Sequence, residues 1–298
     1  CILEQQAMSI IRKERVHKPS PNAPAVALLD CRVCLHRLIA LGGEVPERLR
    51  FDWFRSAWAL IINKPLPWLA HQPLQGWCTI VVDDYKDPLT GKYWRTEQYP
   101  AYKANRSVEA DRSDDYHMCF EAISKYLANS ANADCPIPLL REPGFEADDW
   151  AGAAYRIIMQ LAEADAWHSD CFLLTIDSDW LQLVSDKHRI WFANFLTHTS
   201  RLRGEYEAIS YMLDKGFNVL KPSDIIRMKA KYGDIADNIG PGSPIDIVTL
   251  IAPSKQPADE RLAYMLANPK CNTSNAHYLS AKNWLTINNL PIPSGYYL

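Results

Sequence analysis

The sequence predicts an α/β fold with a mainly parallel central sheet and helices on both faces. Two observations lead to this prediction. Between residues 25 and 193, short apolar runs typical of buried parallel strands alternate with longer runs of helical periodicity. In addition, three apolar runs end on an aspartate, at Asp30, Asp83 and Asp177, as expected where parallel strands finish at one functional edge of a sheet.

The individual elements follow from the same patterns. Strands are expected at 25–29, 79–82, 137–140, 171–176 and 190–193. Helices are expected at 31–41, 51–62, 113–128 and 150–164, in a mainly helical region from about residue 205, and at 221–231. The chain divides into a basic arm and linker (1–24), a core (25–212) that includes a basic region at 86–128, a helical hairpin (213–253) and a tail packed on the core (254–298).

Composition narrows the class of protein. The 298 residues, 48% hydrophobic and 22% charged, are enough for one large domain or two in a globular protein. The eight cysteines do not follow the spacing of a disulfide framework. No apolar run approaches the roughly 18 residues that cross a membrane, and the first residues lack a signal-peptide pattern. We therefore expect a cytoplasmic protein with reduced cysteines and no membrane partner. The sequence does not determine the oligomeric state, and a monomer is favoured.

Two acidic groups are the first candidates for a functional site. Glu146, Asp148 and Asp149 open the predicted helix at 150–164, and Asp177 and Asp179 follow a predicted strand. If they meet, up to five carboxylates share a pocket, and they cannot all stay ionised unless a cation lies among them. Taken singly, each group also fits an ordinary role as a helix-dipole partner or turn cap.

The segment 86–112 differs from the rest of the chain. It interleaves cations with aromatic rings: Lys92, Tyr93, Trp94, Arg95, Tyr99, Tyr102, Lys103, Arg106 and Arg112. Such a mixture suits a nucleic-acid single strand, whose phosphates need positive charge and whose bases stack on aromatic faces. The alternative is a surface loop that is merely rich in both residue types.

The stretch 232–251 predicts a second nucleic-acid contact. A basic helix leads into a tight Gly/Pro turn and then into a second helix, the outline of a helix-hairpin-helix grip on a duplex backbone. Gly240 and Gly242 would let phosphates approach backbone N–H groups. Asp234 and Asp237, three residues apart, are expected on one helical face.

These motifs, in this order, resemble the 5′ nuclease family of flap endonucleases and 5′→3′ exonucleases, in particular its phage-type stand-alone members. The resemblance rests on Asp30, Asp83, the FEADD and IDSD groups and GDIADNI, and WRTEQYPAYKANR is similar to the family's basic and aromatic element. It runs from about residue 25 to 251. It implies a PIN-like nuclease core, a helical arch within 86–128 and a C-terminal region of the helix-hairpin-helix type.

The resemblance also implies roles for individual residues. The first metal ion would be held by Asp30, Asp83, Glu146, Asp148 and Asp149, and the second by Asp177, Asp179, Asp234 and Asp237. Lys103 and Arg106, three residues apart on an expected helical face, would be catalytic groups in the arch. DNA contacts would come from Arg32, Arg95, Tyr99, Tyr102, Lys103, Arg106, Lys229, Lys231, Gly240 and Gly242. Asp83 is chosen over Asp84 because VDDYK then matches the family's spacing into YWR.

The sequence departs from the family in two further places. Cys31 stands where the family usually has glycine after the first aspartate. The resemblance implies a K⁺ ion at the hairpin, although GPGSP lacks the usual Gly-x-Gly-x-Lys/Thr run.

An all-carboxylate pocket predicts the metal and the reaction. Mg²⁺ prefers oxygen ligands, and Mn²⁺ could substitute for it. Two such ions about 4 Å apart would activate a water and stabilise the leaving oxygen of a phosphodiester. The formal net charge of −3 does not exclude a nucleic-acid partner, because setting nine pocket carboxylates aside leaves +6 for the remainder.

The predicted function is that of a two-metal 5′→3′ exonuclease or flap endonuclease in replication or repair. Its substrates would be DNA with a 5′ end, flap or nick, and RNA primers in RNA–DNA hybrids. The alternatives are a PIN-type ribonuclease and a non-catalytic DNA-binding replication accessory.

Overall fold

A six-stranded sheet lies at the centre of the computed structural model, which describes residues 23–66, 76–105, 114–130, 137–194, 202–245, 260–271 and 275–293. The strands are β1 (Ala25–Asp30), β2 (Trp77–Val82), β3 (Leu139–Leu140), β4 (Cys171–Leu174), β5 (Ile190–Ala193) and β6 (Leu202–Arg203). Their order across the sheet is β3-β2-β1-β4-β5-β6. Each pair from β3 to β5 is parallel, and β6 is antiparallel to β5. The prediction of a mainly parallel sheet is confirmed.

Helices connect these strands. They are α1 (Cys31–Gly42), α2 (Glu47–Asn63), α3 (Trp94–Gln98), α4 (Asp114–Ser130), α5 (Ala147–Glu163), α6 (Glu205–Asp214), α7 (Asp224–Tyr232), α8 (Glu260–Ala267) and α9 (Asn275–Ile287). A 3₁₀ turn follows β4 at Ser178–Leu183. None of the helices in the described ranges is long and apolar enough to cross a membrane.

Two hydrophobic cores lie on opposite faces of the sheet. In β1, Ala25, Ala27 and Leu29 face one core, and Val26 and Leu28 face the other, because successive strand residues point to opposite sides. The first core is completed by α1, α2, α4 and α9, and the second by α5, α6, α7 and α8. All six residues of β1 are buried, as expected for a strand covered on both faces. Helices on both faces of the sheet are thereby confirmed.

The tail contributes to the first core through α9. Tyr278, Ala281 and Leu285 of this helix are buried there, and the Trp53 indole N–H of α2 donates to the Pro291 carbonyl at 2.7 Å. Residues 1–22 of the predicted basic arm and linker (1–24) lie outside the described residues, as does most of the predicted second helix of the hairpin, at 246–251.

Substitution of Leu28 by alanine should destabilise the fold more than substitution of an exposed leucine. Leu28 is fully buried in β1, whereas Leu220 is 84% exposed. We expect a loss of about 2–5 kcal/mol in the free energy of unfolding for Leu28→Ala. Leu220→Ala should stay within about 0.5 kcal/mol of wild type. Urea unfolding followed by circular dichroism measures both, and equal losses would contradict the placement of β1 at the centre.

Candidate metal centre and nucleic-acid interface

Parallel pairing brings the acidic segments to one edge of the sheet. Asp30 ends β1 opposite Val82, so the residues that follow β2 lie next to it. Asp177 follows β4, which pairs with β1 on its other side. Tyr85 pairs with Phe145 in an antiparallel bridge, and this bridge places the amino end of α5 beside the end of β2. The carboxyl ends of three neighbouring strands and one helix start therefore meet.

Asp30 is held rigidly at the centre of this edge. One of its carboxylate oxygens accepts the Val33 backbone N–H at 3.1 Å as the cap of α1, and the other accepts the Thr175 hydroxyl at 2.8 Å. Burial raises the pKa of Asp30 well above its usual value, and the negative charge of Asp84 raises it further.

Asp84, rather than Asp83, faces Asp30 in this pocket. Asp84 accepts the Ala147 backbone N–H at 2.7 Å at the start of α5, and its pKa is raised by burial and by the charge of Glu146. Asp83 instead forms an ion pair at 3.2 Å with Arg141, and burial raises its pKa to about 7. The resemblance implies Asp83 as the ligand, but the structure pairs Asp83 with Arg141 and gives Asp84 the stronger interaction with Asp30.

Glu146 and Asp149 are bound by Arg95. The guanidinium lies 3.1 Å from Glu146 and 2.7 Å from Asp149. Lys103 pairs with the other oxygen of Glu146, and the Trp94 indole N–H donates to Asp149 at 3.0 Å. Burial alone would raise the pKa of Glu146, but Lys103 and Arg95 outweigh it and lower the pKa to about 2.

For Asp149, burial outweighs Arg95 and raises the pKa to about 6. Asp149 thus contacts both Arg95 and Trp94 and links the start of α5 to the segment 86–112.

Two predicted DNA contacts are corrected by this arrangement. Arg95 is 1% exposed and Tyr102 is 4% exposed, so neither reaches a nucleic acid from the surface. The sequence indicated contact with DNA because alternating cations and aromatics have the same pattern whether they face phosphates or buried acids.

Asp148 interacts with the acids at or just after the carboxyl ends of β1, β2 and β4. It accepts the Trp180 indole N–H at 2.8 Å, and its negative charge raises the pKa of Asp30, Asp84 and Asp177. For Asp177, burial is the larger cause, and the pKa reaches about 7. Trp180 and Thr175, which orient Asp148 and Asp30, were missed at the sequence level, although both adjoin the IDSD motif.

A second group of acids forms at the end of α7. Among the described residues, Asp179, Asp234 and Asp237 each offer an oxygen within 4.8 Å of the others. The Lys229 ammonium pairs with both Asp179 and Asp234 and is 7% exposed. Burial alone would raise the pKa of Asp234, but Lys229 outweighs it and lowers that pKa. Lys229 therefore neutralises part of the negative charge of this group. Lys229 was predicted to contact DNA at the surface, and its burial among these acids does not agree with that prediction.

Asp234 and Asp237 lie in a tight turn and not on the helical face that their spacing predicted. The turn closes where Asp234 and Ile239 exchange two backbone hydrogen bonds of 2.8 Å. Gly233 enters it with φ of 84°, and a Cβ there would lie 2.6 Å from the Ile239 carbonyl oxygen. This glycine permits the close approach that places the two aspartates together.

The remaining predicted contacts differ in exposure. Lys231 and Gly242 are exposed, while Arg32, Tyr99, Lys103 and Gly240 are half-buried. Arg32 lies 3.5 Å from Asp84. Lys103 lies in a turn with φ of 54°, and this geometry corrects the expected helical face shared with Arg106. Arg106 itself lies outside the described residues.

The sheet and its carboxylate-lined edge define an α/β protein of the PIN-like class. The chain is similar to the 5′ nucleases: residues 68–209 match the family described as 5′-3′ exonuclease, N-terminal resolvase-like domain. Its relatives include the DNA polymerase I of Chloroflexus aurantiacus, 33% identical over 150 residues, which are 50% of this chain and 14% of the polymerase. A 5′-3′ exonuclease of Bacillus subtilis is 30% identical over 156 residues, or 50% of this chain and 44% of that protein. The chain thus spans less than half the length of the curated relatives that it matches.

Solved structures share the fold. The T5 D15 protein co-crystallized with metal ions has a TM-score of 0.53 at 20% identity, with 88% of this chain and 84% of that chain covered. A variant of the bacteriophage T5 D15 flap endonuclease, in a pseudo-enzyme-product complex with DNA and metal ions, has a TM-score of 0.52 at 20% identity and the same coverage. At this identity the likeness establishes the PIN-like architecture.

In EDTA, the stability of the protein should fall as pH rises from 5 to 8. Asp83 and Asp177 have pKa values of about 7 in the folded state, against roughly 3.9 for an unfolded chain. Their contribution is fully present below the unfolded value and is lost as pH rises through the folded value. Glu146 has a lowered pKa of about 2, so its contribution to stability is lost as pH falls, and this happens below the pH range tested.

Chemical unfolding at several pH values in EDTA measures this slope. The matched variant is Asp83→Asn, which removes one of the carboxyls with a raised pKa and should flatten the slope. A wild-type stability that is constant or rising over pH 5–8, with an identical slope in the variant, would contradict the buried, protonated carboxyls.

Proposed function

We propose that the chain is a divalent-metal-dependent 5′→3′ exonuclease or flap endonuclease that cleaves phosphodiester bonds of DNA. The observation that carries this proposal is the convergence of buried carboxylates from three strand ends, one helix start and one turn at a single edge. The match of residues 68–209 to a 5′-3′ exonuclease domain supports the reaction class. The printed names of the relatives, a 5′-3′ exonuclease and DNA polymerase I, support DNA as the substrate.

The candidate ligands fit hard divalent cations. The candidate ligands are all carboxylates, and oxygen donors are those that Mg²⁺ and Mn²⁺ prefer. Asp30, Asp84 and Asp148, with Glu146, would hold one ion, and Asp179, Asp234 and Asp237, with Asp177, would hold a second. When bound, such ions lower the pKa of a water and neutralise charge on a phosphate.

The chain supplies the positive charge around these acids. Lys103 is half-buried and pairs with Glu146. Burial raises the pKa of both Asp84 and Asp177, and the positive charge of Lys103 partly offsets that rise at each of them. An ammonium in that position would stabilise the negative charge that develops on a cleaved phosphate. We propose that Arg106 assists it. Lys231, Gly240 and Gly242 would contact the duplex backbone.

Several finer expectations extend this proposal. The substrate would carry a 5′ end, a flap or a nick, or would be an RNA–DNA hybrid, and the role would lie in replication or repair by a cytoplasmic monomer. The K⁺ ion at the hairpin stays a prediction, because residues 246–259 lie outside the described ranges.

Digestion of labelled DNA tests the proposal. Duplex, nicked and 5′-flap substrates carrying either a 5′ or a 3′ label are incubated with Mg²⁺, Mn²⁺ or EDTA. We expect metal-dependent products released from the 5′ end, or cuts at the base of the flap, and intact DNA in EDTA. Intact DNA in all metal conditions, or equal cutting in EDTA, would contradict the proposal.

Asparagine substitutions should show which of Asp83 and Asp84 is needed for cleavage. Asp84→Asn removes a proposed ligand, so single-turnover cleavage in Mg²⁺ should fall by roughly a hundredfold or more, and Asp179→Asn should behave alike. Asp83→Asn should change the rate by less than about tenfold, because Asp83 pairs with Arg141 outside the ligand group. Gel shifts in Ca²⁺ should show DNA binding within a few-fold of wild type for all three variants. A larger loss for Asp83→Asn than for Asp84→Asn would restore the original assignment.

Lys103→Ala should lower the rate more than the affinity. A group that acts mainly on the transition state costs about a hundredfold in single-turnover rate when removed, with little change in binding. The matched variant is Lys231→Ala, an exposed lysine on α7. It should weaken binding and reduce the salt dependence of binding while leaving the rate at saturating enzyme unchanged. Wild-type turnover by Lys103→Ala would exclude it from the reaction.

A further inference from the structure

The segment that carries Lys103 is docked on the turn that carries Asp234 and Asp237. Three hydrogen bonds join them. The Lys103 backbone N–H donates to the Asp237 carbonyl at 2.8 Å, the Asn238 side-chain amide donates to the Ala101 carbonyl at 2.6 Å, and the Asn105 side-chain amide donates to the Ile235 carbonyl at 2.9 Å. Each of these hydrogen bonds is accepted by a backbone carbonyl, so together they fix the backbone of both segments.

A small hydrophobic cluster supports the same junction. Tyr102 is buried against Ala230 and Ile239, and Tyr99 and Ile226 pack at its border. Tyr102 precedes Lys103, and Ile239 closes the acidic turn. The junction therefore has an apolar core beside its hydrogen bonds, separate from the two large cores on the faces of the sheet.

The backbone at the junction has a conformation that needs such support. Lys103 has φ of 54° and Asn238 has φ of 55°, both in the left-handed region. Asparagine adopts this region readily, but for lysine it is unfavourable and persists only where surrounding contacts hold it. This conformation accompanies the pairing of the Lys103 ammonium with Glu146, beside the acids of the first group.

We propose that Asn238, assisted by Asn105, is a positioning residue that clamps Lys103 over the acidic pocket. This inference rests on the proposed nuclease function, and it adds that the rate of cleavage depends on Asn238. The turn from Gly233 to Ile239 supplies two candidate metal ligands through Asp234 and Asp237, and it sets the position of the catalytic lysine through Asn238. Neither asparagine needs to touch substrate, because their effect on rate passes through Lys103.

Two substitutions separate the contribution of the Asn238 side-chain amide from that of its left-handed backbone conformation. Asn238→Gly keeps the left-handed backbone accessible and removes the amide. Asn238→Asp keeps the size and the tolerance of positive φ, but a carboxylate cannot donate to the Ala101 carbonyl. Both should lower single-turnover cleavage by about tenfold or more, with the dissociation constant for DNA in Ca²⁺ within about threefold of wild type. Asn288→Gly is the control, because Asn288 also donates its amide to a carbonyl, that of Trp284 at 2.8 Å, but at the end of α9.

A double-mutant cycle with Lys103 tests whether Asn238 affects the cleavage rate through Lys103. In a Lys103→Ala background, Asn238→Gly should reduce the rate by less than about twofold further, because the residue that it positions is already gone. A full tenfold loss in that background would show that Asn238 acts on the acids or on the fold, and would overturn the clamp. Rates equal to wild type for both single variants would overturn it as well.

Hydrogen exchange provides a readout that does not require cleavage. The Lys103 amide, which donates to Asp237, should exchange at least about tenfold faster in Asn238→Gly and at the wild-type rate in Asn288→Gly. If the wild-type protein cuts none of the DNA substrates, the proposed function fails, and the exchange result alone decides the clamp. Faster exchange at Lys103 then upholds it, and unchanged exchange overturns it.

Discussion

Mutual repulsion among buried carboxylates is the constraint on which the structure of the site depends. Asp30, Asp84 and Asp177 lose much of their hydration, and each is also subject to the negative charge of Asp148, so their pKa values are raised. The chain offsets this cost with cations that are themselves buried. Arg95 is bound between Glu146 and Asp149, and Lys229 between Asp179 and Asp234. The positions of α3 and α7 follow from this neutralisation.

The parallel sheet explains why segments so distant in sequence meet. Strands that run in one direction deliver their carboxyl ends to one edge, and the two cores hold the sheet rigid from both faces. The sheet supplies the first acidic group together with the start of α5. The second group needs the turn after α7 as well, and the same turn receives the segment around Lys103. The site is therefore complete only when the segments around residues 95–105 and 229–239 are both docked.

Much of this could be predicted from the sequence, for physical reasons that also define the limit. The five parallel strands were recognisable because buried strands are short continuous apolar runs, and the convergence of their aspartates follows from strand direction. The choice between Asp83 and Asp84 depends on side-chain direction beyond the strand, which spacing does not encode. The burial of Arg95 and Lys229 was missed because a cation facing acids and a cation facing phosphates have the same sequence pattern. The helix α9 within the tail was missed because its inward residues are few within an Asn-rich stretch.

We propose that this edge binds two divalent cations through the carboxylates named above. Anomalous diffraction from a crystal of the protein grown with Mn²⁺ tests it most directly. The account predicts two manganese peaks, one beside Asp30, Asp84 and Asp148, and one among Asp179, Asp234 and Asp237 with the Lys229 ammonium displaced. A map without manganese at this edge, with Lys229 still paired to Asp179 and Asp234 at saturating metal, would contradict it.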